Sequence, residues 1–223
     1  MPRSRALTAV FVSLLAAVGL STPAQAAPAP WPPPAPVVDR VETRDPVFFV
    51  TIDDGWYHDP AAARILLDRR IPASLFLLPD ATSYDTGYFR NLVDNGPSRI
   101  ENHSLTHPDL TGLDEAGQRA ELCGARSRHL AAFGQEPRLT RPPYGTFDER
   151  TRTAARACGS KAVVTWTHDQ TTWSTPPAPP ALKAGDIVLL HFTPSLAADL
   201  ARVMAAADSA GLRAGRLRDY IPD

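Results

Sequence analysis

Two acidic side chains stand together in Thr51-Ile52-Asp53-Asp54-Gly55, at the end of an apolar run. Adjacent carboxylates repel each other unless a cation or a proton lies nearby, and the glycine that follows permits a tight turn. Alone, the pattern describes an ordinary turn as well as it describes half of a cation site. His103-Ser104-Leu105-Thr106-His107 is sharper. Histidines four apart share one face of a helical turn and chelate one metal ion from it, while leaving that ion short of ligands. A carboxylate from another element would complete a His-His-Asp set with positions open for water and substrate. The plainer reading is a pair of solvated or capping histidines.

Two further groups have chemical potential. In Arg141-Pro142-Pro143-Tyr144-Gly145 the prolines fix the backbone, so the arginine and tyrosine are held with little freedom. An arginine beside a carboxylate stabilises and orients its ionised form, although the same stretch would also serve as a rigid surface turn. Leu189-Leu190-His191 closes an apolar run, and its histidine is either a proton donor or a satisfied core residue.

The elements that must position these groups alternate along the chain. Strands are predicted at Val47 to Ile52, Ala73 to Leu78, Ser98 to Asn102, Arg138 to Arg141, Lys161 to Thr165 and Asp186 to His191. Helices are predicted from Asp59-Pro60 to about Arg69, near Tyr88 to Asp94, from Asp114 to Phe133 and Gly134, from Asp148 to Cys158-Gly159, and from Leu196 to Ala210. A proline-rich loop, Pro176 to Pro180, separates the last two strands. Such alternation makes an α/β fold with a parallel sheet wrapped by helices, as an open doubly wound sheet or a closed barrel. Asp53-Asp54, His103, Arg141 and His191 all follow predicted strands. The C-terminal strand ends of βα folds converge on one face, so these distant residues should meet there.

Order and placement together carry a resemblance. The chain resembles the NodB-like polysaccharide deacetylases of carbohydrate esterase family four from about Val47 onward. Their first, second, third and fifth motifs appear as Thr51-Ile52-Asp53-Asp54-Gly55, His103-Ser104-Leu105-Thr106-His107, Arg141-Pro142-Pro143-Tyr144-Gly145 and Leu189-Leu190-His191. The resemblance implies a single-domain, distorted and incomplete (β/α) barrel. It implies that Asp54, His103 and His107 bind one divalent metal ion, zinc first, with cobalt or nickel as alternatives. Asp53 would be the general base that activates water for attack on an acetyl carbonyl, and Arg141 would orient it. The backbone N–H of Tyr144 would help hold the oxyanion, His191 would protonate the departing amine, and Leu189 would line the acetyl pocket.

The fourth motif departs from the family. In Trp166-Thr167-His168-Asp169-Gln170-Thr171-Thr172-Trp173 the tryptophan is kept as Trp173, but Thr172 stands where the family has an aspartate beside the acid histidine. A threonine carries no charge, so His191 is expected to be a weaker acid, unless Asp169 or His168 substitutes. On this reading, aspartate at position 172 raises activity near neutral pH. Trp56, Tyr57, Tyr144, Trp166 and Trp173 either stack on sugar rings or pack under loops, and Trp173 is placed with Leu189 in the substrate pocket. His58 and His168 match no required position, and His129 is expected on the surface of its helix.

The remaining features bound the setting. Arg3 and Arg5, the apolar run Ala6 to Leu20 and Ala24-Gln25-Ala26 read as a signal peptide over residues 1–26, which places the mature chain outside the cell. The run is shorter than the roughly 20 residues of a spanning helix, so no membrane anchor is expected. Residues 27–38, rich in Ala and Pro, read as a linker, and residues 39–223 as the domain. Lys and Arg total 23 against 24 Asp and Glu, so no basic surplus exists for nucleic acid. Cys123 and Cys158 lie on predicted helices of an exported chain, which favours a disulfide over a free buried pair. The expected protein is a monomer acting on an extracellular acetylated polysaccharide, peptidoglycan or chitin-like. O-deacetylation of acetylxylan and non-catalytic carbohydrate or metal binding are the alternatives.

Overall fold

A computed structural model describes residue 1 and residues 33–222. The expected signal peptide, its cleavage site and most of the Ala/Pro segment lie outside the described residues. Among the described residues nine strands form: β1 Val37–Val38, β2 Val47–Asp54, β3 Ser74–Leu77, β4 Arg99–Asn102, β5 Leu139–Thr140, β6 Ala162–Val164, β7 His168–Asp169, β8 Ile187–His191 and β9 Arg213–Ala214. Six α-helices accompany them: α1 Pro60–Asp68, α2 Pro79–Tyr84, α3 Thr86–Asp94, α4 Glu115–Phe133, α5 Glu149–Ala157 and α6 Leu196–Ser209. The strands run in the order β1-β6-β5-β4-β3-β2-β8-β7, with β9 added to β2, and every pairing between named strands is parallel. The sheet curls into an open half-barrel with helices outside, the distorted (β/α) barrel that the resemblance implied.

Side-chain alternation explains how one face became a site. On β2, Phe48, Val50 and Ile52 join the core beneath α1, α3 and α6, while Val47 and Phe49 join the core inside the barrel. Thr51 and Asp53 continue that inner row toward the C-terminal end, both buried. The interior thus grades from apolar to polar along one strand. Phe76, Leu139 and Ile187 fill it from neighbouring strands, and His103, Arg141, Leu189 and His191 share their inward parity above them.

The caps read from the sequence are present. Asp59, Asp114 and Asp148 accept backbone N–H bonds at the starts of α1, α4 and α5, and Gly134 ends α4 with φ 65°. Cys123 on α4 and Cys158 at the end of α5 form a disulfide, with Cα atoms 4.9 Å apart. Where β4 and β5 share a single register pair, the buried Glu101 fills in: its Oε2 accepts the N–H groups of Arg138 and Leu139, and its Oε1 accepts Arg218.

Three expectations need correction. The described end of the linker belongs to the domain: Ala35 is fully buried and Val37–Val38 pair with β6, so two valines suffice to join an open parallel edge. The short elements α2, β7 and β9 were not anticipated, because two- and six-residue segments carry too little periodicity. His129 is buried, not on the surface, and its Nε2–H donates to the carbonyl of Leu77 at 2.9 Å. α4 packs over the sheet and turns this position inward.

Burial pushes the His129 imidazole down to about 4 from 6.5, against the Leu77 bond, which favours the charged form. Between these values the unfolded chain takes up a proton that the folded chain refuses. The contribution is therefore complete above pH 6.5 and lost as pH falls toward 4, to the extent of about 3 kcal/mol. His129→Gln keeps an amide donor for Leu77 but does not titrate. Denaturant unfolding at pH 7.5, 5.5 and 4.5 should show the wild type losing its advantage over the variant by roughly 2–3 kcal/mol. A gap that stays constant with pH overturns this account.

Candidate metal and acid–base site

Four inward strand ends meet at the open mouth of the half-barrel. Arg141 arrives from β5 and lies across the interior with no exposed surface. Its Nη1 donates to Asp53 Oδ1 at 2.7 Å and to Thr51 Oγ1 at 2.8 Å, and its Nη2 donates to the Thr165 carbonyl at 3.0 Å. The guanidinium also covers the ring of Phe76, 4.3 Å from the centroid. A buried charge of this kind is stable only when its donors are spoken for, and here two carboxylate- or hydroxyl-bearing side chains of β2 do much of that.

Asp54 has the outward parity of its strand, but its φ of 73° breaks the alternation. Its Oδ1 lies 3.4 Å from His103 Nε2 and 3.6 Å from His107 Nε2. One ligand atom from each of the three residues falls within 4.8 Å of the other two. Among the described residues Asp54 Oδ1 is buried and accepts no hydrogen bond, which fits a metal-ligating oxygen. His103 Nδ1 is committed to the Arg141 carbonyl at 2.8 Å, so Nε2 is the nitrogen turned to the cluster. Burial alone would raise the Asp54 carboxyl, yet His103, with His191 and His107, holds it below its ordinary value. Burial, then the neighbouring His103, lowers His107, which favours the neutral, ligating form. The donor set of one carboxylate and two imidazoles suits a divalent ion of the zinc type.

The two histidines do not share a helical turn. Residues 103–107 form a loop after β4, with Ser104 at φ 70° and His107 at φ 63°. Two residues unmarked by the sequence reading shape it. Asn102 accepts the Ser104 N–H, and Glu121 of α4 takes the N–H groups of Leu105 and Thr106 and the Thr106 hydroxyl. These bonds bring the rings to 4.9 Å by a route that a spacing of four does not reveal.

His191 lies in direct register with Asp53 across β2 and β8. Asp53, Asp54, His103, His107, Tyr144, Trp173, Leu189 and His191 line one cleft of about 270 Å³. A second depression, about 310 Å³, shares Asp54 and His107 and continues past Trp56 and Leu105. Tyr144 sits at φ 60° on the rigid Pro142-Pro143 turn, the residue 67% exposed and its ring against His107. Trp173 is likewise exposed, 4.7 Å from the His191 ring, so both aromatics edge the cleft rather than packing beneath it.

The fourth-motif stretch differs from expectation. Thr172 does not face His191: its hydroxyl and N–H both go to Asp199 of α6, at 2.5 and 2.9 Å. The group on His191 Nδ1 is the Thr171 hydroxyl, at 2.8 Å. Of the suggested substitutes, His168 is engaged with Asp186 at 3.0 Å, while Asp169 lines the same cleft and accepts the Thr171 N–H at 3.0 Å. His58 bonds the Gly55 carbonyl and braces the turn after the aspartates.

The chain is similar to known proteins in sequence and in fold. The family model described as polysaccharide deacetylase matches residues 40–163. An uncharacterised protein of Streptomyces coelicolor is 40% identical over 195 residues, covering 83% of this chain and 77% of its own. A chitooligosaccharide deacetylase of Rhizobium leguminosarum is 30% identical over 159 residues, 67% of this chain and 69% of its own. Among solved structures, a mutant of a family-four carbohydrate esterase pseudoenzyme from Bacillus anthracis, with restored enzymatic activity, superposes with a TM-score of 0.75 at 25% identity, covering 83% of this chain and 71% of that one. The family match runs from just after β1 into β6 and takes in the aspartate pair, both histidines and Arg141, so the chain belongs to the polysaccharide deacetylase family.

Proposed function

We propose that this chain is a secreted, metal-dependent hydrolase that removes N-acetyl groups from an amino-sugar polysaccharide, chitin-like or peptidoglycan. The observation that carries the reading is the opposition of Asp53 and His191, in register on adjoining strands, with the Asp54-His103-His107 cluster at the same mouth. Asp54, His103 and His107 would hold the divalent ion, which supplies Lewis acidity toward an acetyl carbonyl and a water. Asp53 takes the proton of that water: its Oδ1 is occupied by Arg141, which leaves Oδ2 as the accepting atom. The Tyr144 N–H, presented by the Pro142-Pro143 turn, serves the oxyanion. His191 then delivers a proton to the leaving amine, and Leu189 borders the acetyl methyl group. The expected signal peptide supports action outside the cell.

Acetate release from chitooligosaccharides, peptidoglycan and acetylxylan tests this. Release from an N-acetylated substrate should be abolished by chelator, restored by zinc, and lowered at least a hundredfold or so in Asp53→Asn. Release from acetylxylan alone would make the chain an O-deacetylase. No metal-dependent release from any substrate would mean a non-catalytic binder.

The position of Thr172 reverses the expectation drawn from the sequence. Thr172→Asp places a second carboxylate against the fully buried Asp199, not beside His191. Activity should fall rather than rise, with a loss of more than about 1 kcal/mol in unfolding free energy. A gain in kcat with unchanged stability would overturn this assignment.

A further inference from the structure

Accepting the deacetylase reading, we propose that Asp199 and Arg202 of α6 are positioning residues for the acid histidine, acting through the loop of residues 170–173. Asp199 is fully buried in the first turn of α6, where a carboxylate is favoured by the helix dipole. It takes both the N–H and the hydroxyl of Thr172, and Arg202 bonds its Oδ1 at 2.9 Å. Arg202 Nη2 also donates to the carbonyl of Gln170 at 2.6 Å. The helix therefore grips the loop on either side of Thr171. Between the two grips the Thr171 hydroxyl is left facing His191 Nδ1, and the Trp173 ring lies beside the same imidazole.

The arrangement supplies orientation without adding charge at the imidazole. The hydroxyl accepts from Nδ1–H both while the ring is protonated and after Nε2 has given up its proton, so it serves both states of a proton donor. The carboxylate lies one residue further away and acts on the loop's backbone. Asp199 comes from the helix that follows β8, so one hairpin-like unit carries both the acid and the device that aims it.

The test is a double-mutant cycle with a spectroscopic arm, on zinc-loaded protein and an N-acetylated chitooligosaccharide. Asp199→Asn should lower kcat about ten- to a hundredfold while KM changes less than about twofold. In a Thr171→Val background the same change should cost almost nothing further, because the contact it preserves is already gone. Arg202→Met, which releases the Gln170 carbonyl, should behave alike and stands in if Asp199→Asn fails to fold. Ring ¹⁵N signals of His191 should shift in both variants. Unchanged kcat, or full losses that multiply in the double mutant, would overturn the proposal. If the wild type releases no acetate, the deacetylase reading fails by itself, and unchanged His191 signals in Asp199→Asn would still refute the positioning role.

Discussion

A single guanidinium organises the inside of this half-barrel. Arg141 occupies the layer where an apolar core would otherwise continue upward from Phe49 and Phe76, and it has no contact with solvent. A charge so placed requires partners on several strands. It finds them in Asp53 and Thr51 of β2 and in the carbonyls of Val164, the last residue of β6, and Thr165, while its own carbonyl fixes His103. Asp53 and His103 are therefore positioned by one residue, through its side chain and its backbone respectively. Removing that side chain would leave the buried Asp53 without its counter-charge, which is more costly than the loss of an exposed pair.

Above this layer the backbone is held in uncommon conformations. Of the five described non-glycine residues with positive φ, four are Asp54, Ser104, His107 and Tyr144, all at the mouth. Each left-handed residue of this kind costs on the order of 1 kcal/mol. The surroundings enforce them: Asn102 and Glu121 hold the 104–107 loop, and two prolines hold the turn before Tyr144. Strain concentrated at one end of the sheet and offset by buried packing at the other is the division of labour expected of a catalytic βα fold.

The long strands and capped helices were readable because each carries a local signal, as Asp114 and Gly134 do for α4. The convergence of Asp53, His103, Arg141 and His191 followed from their places after strands. What escaped was anything set by tertiary contact. His129 is polar, yet it shares the buried face of α4 with Leu122, Ala125 and Phe133 and meets the Leu77 carbonyl. Residues 103–107 have the spacing of a helical turn, yet Glu121 pins them as a loop. Thr171 and Thr172 are chemically alike and adjacent, so only the arrival of Asp199 from another element decides which one meets the histidine.

The disulfide has a consequence beyond tying two helices together. Glu121 precedes Cys123 by less than one turn of α4, so the link to Cys158 braces the same stretch of helix from which the His107 loop hangs. Thiol oxidation and the shape of the Asp54-His103-His107 cluster are mechanically joined. A chain still in a reducing compartment would lack that brace, and the site would reach its final rigidity only where disulfides persist.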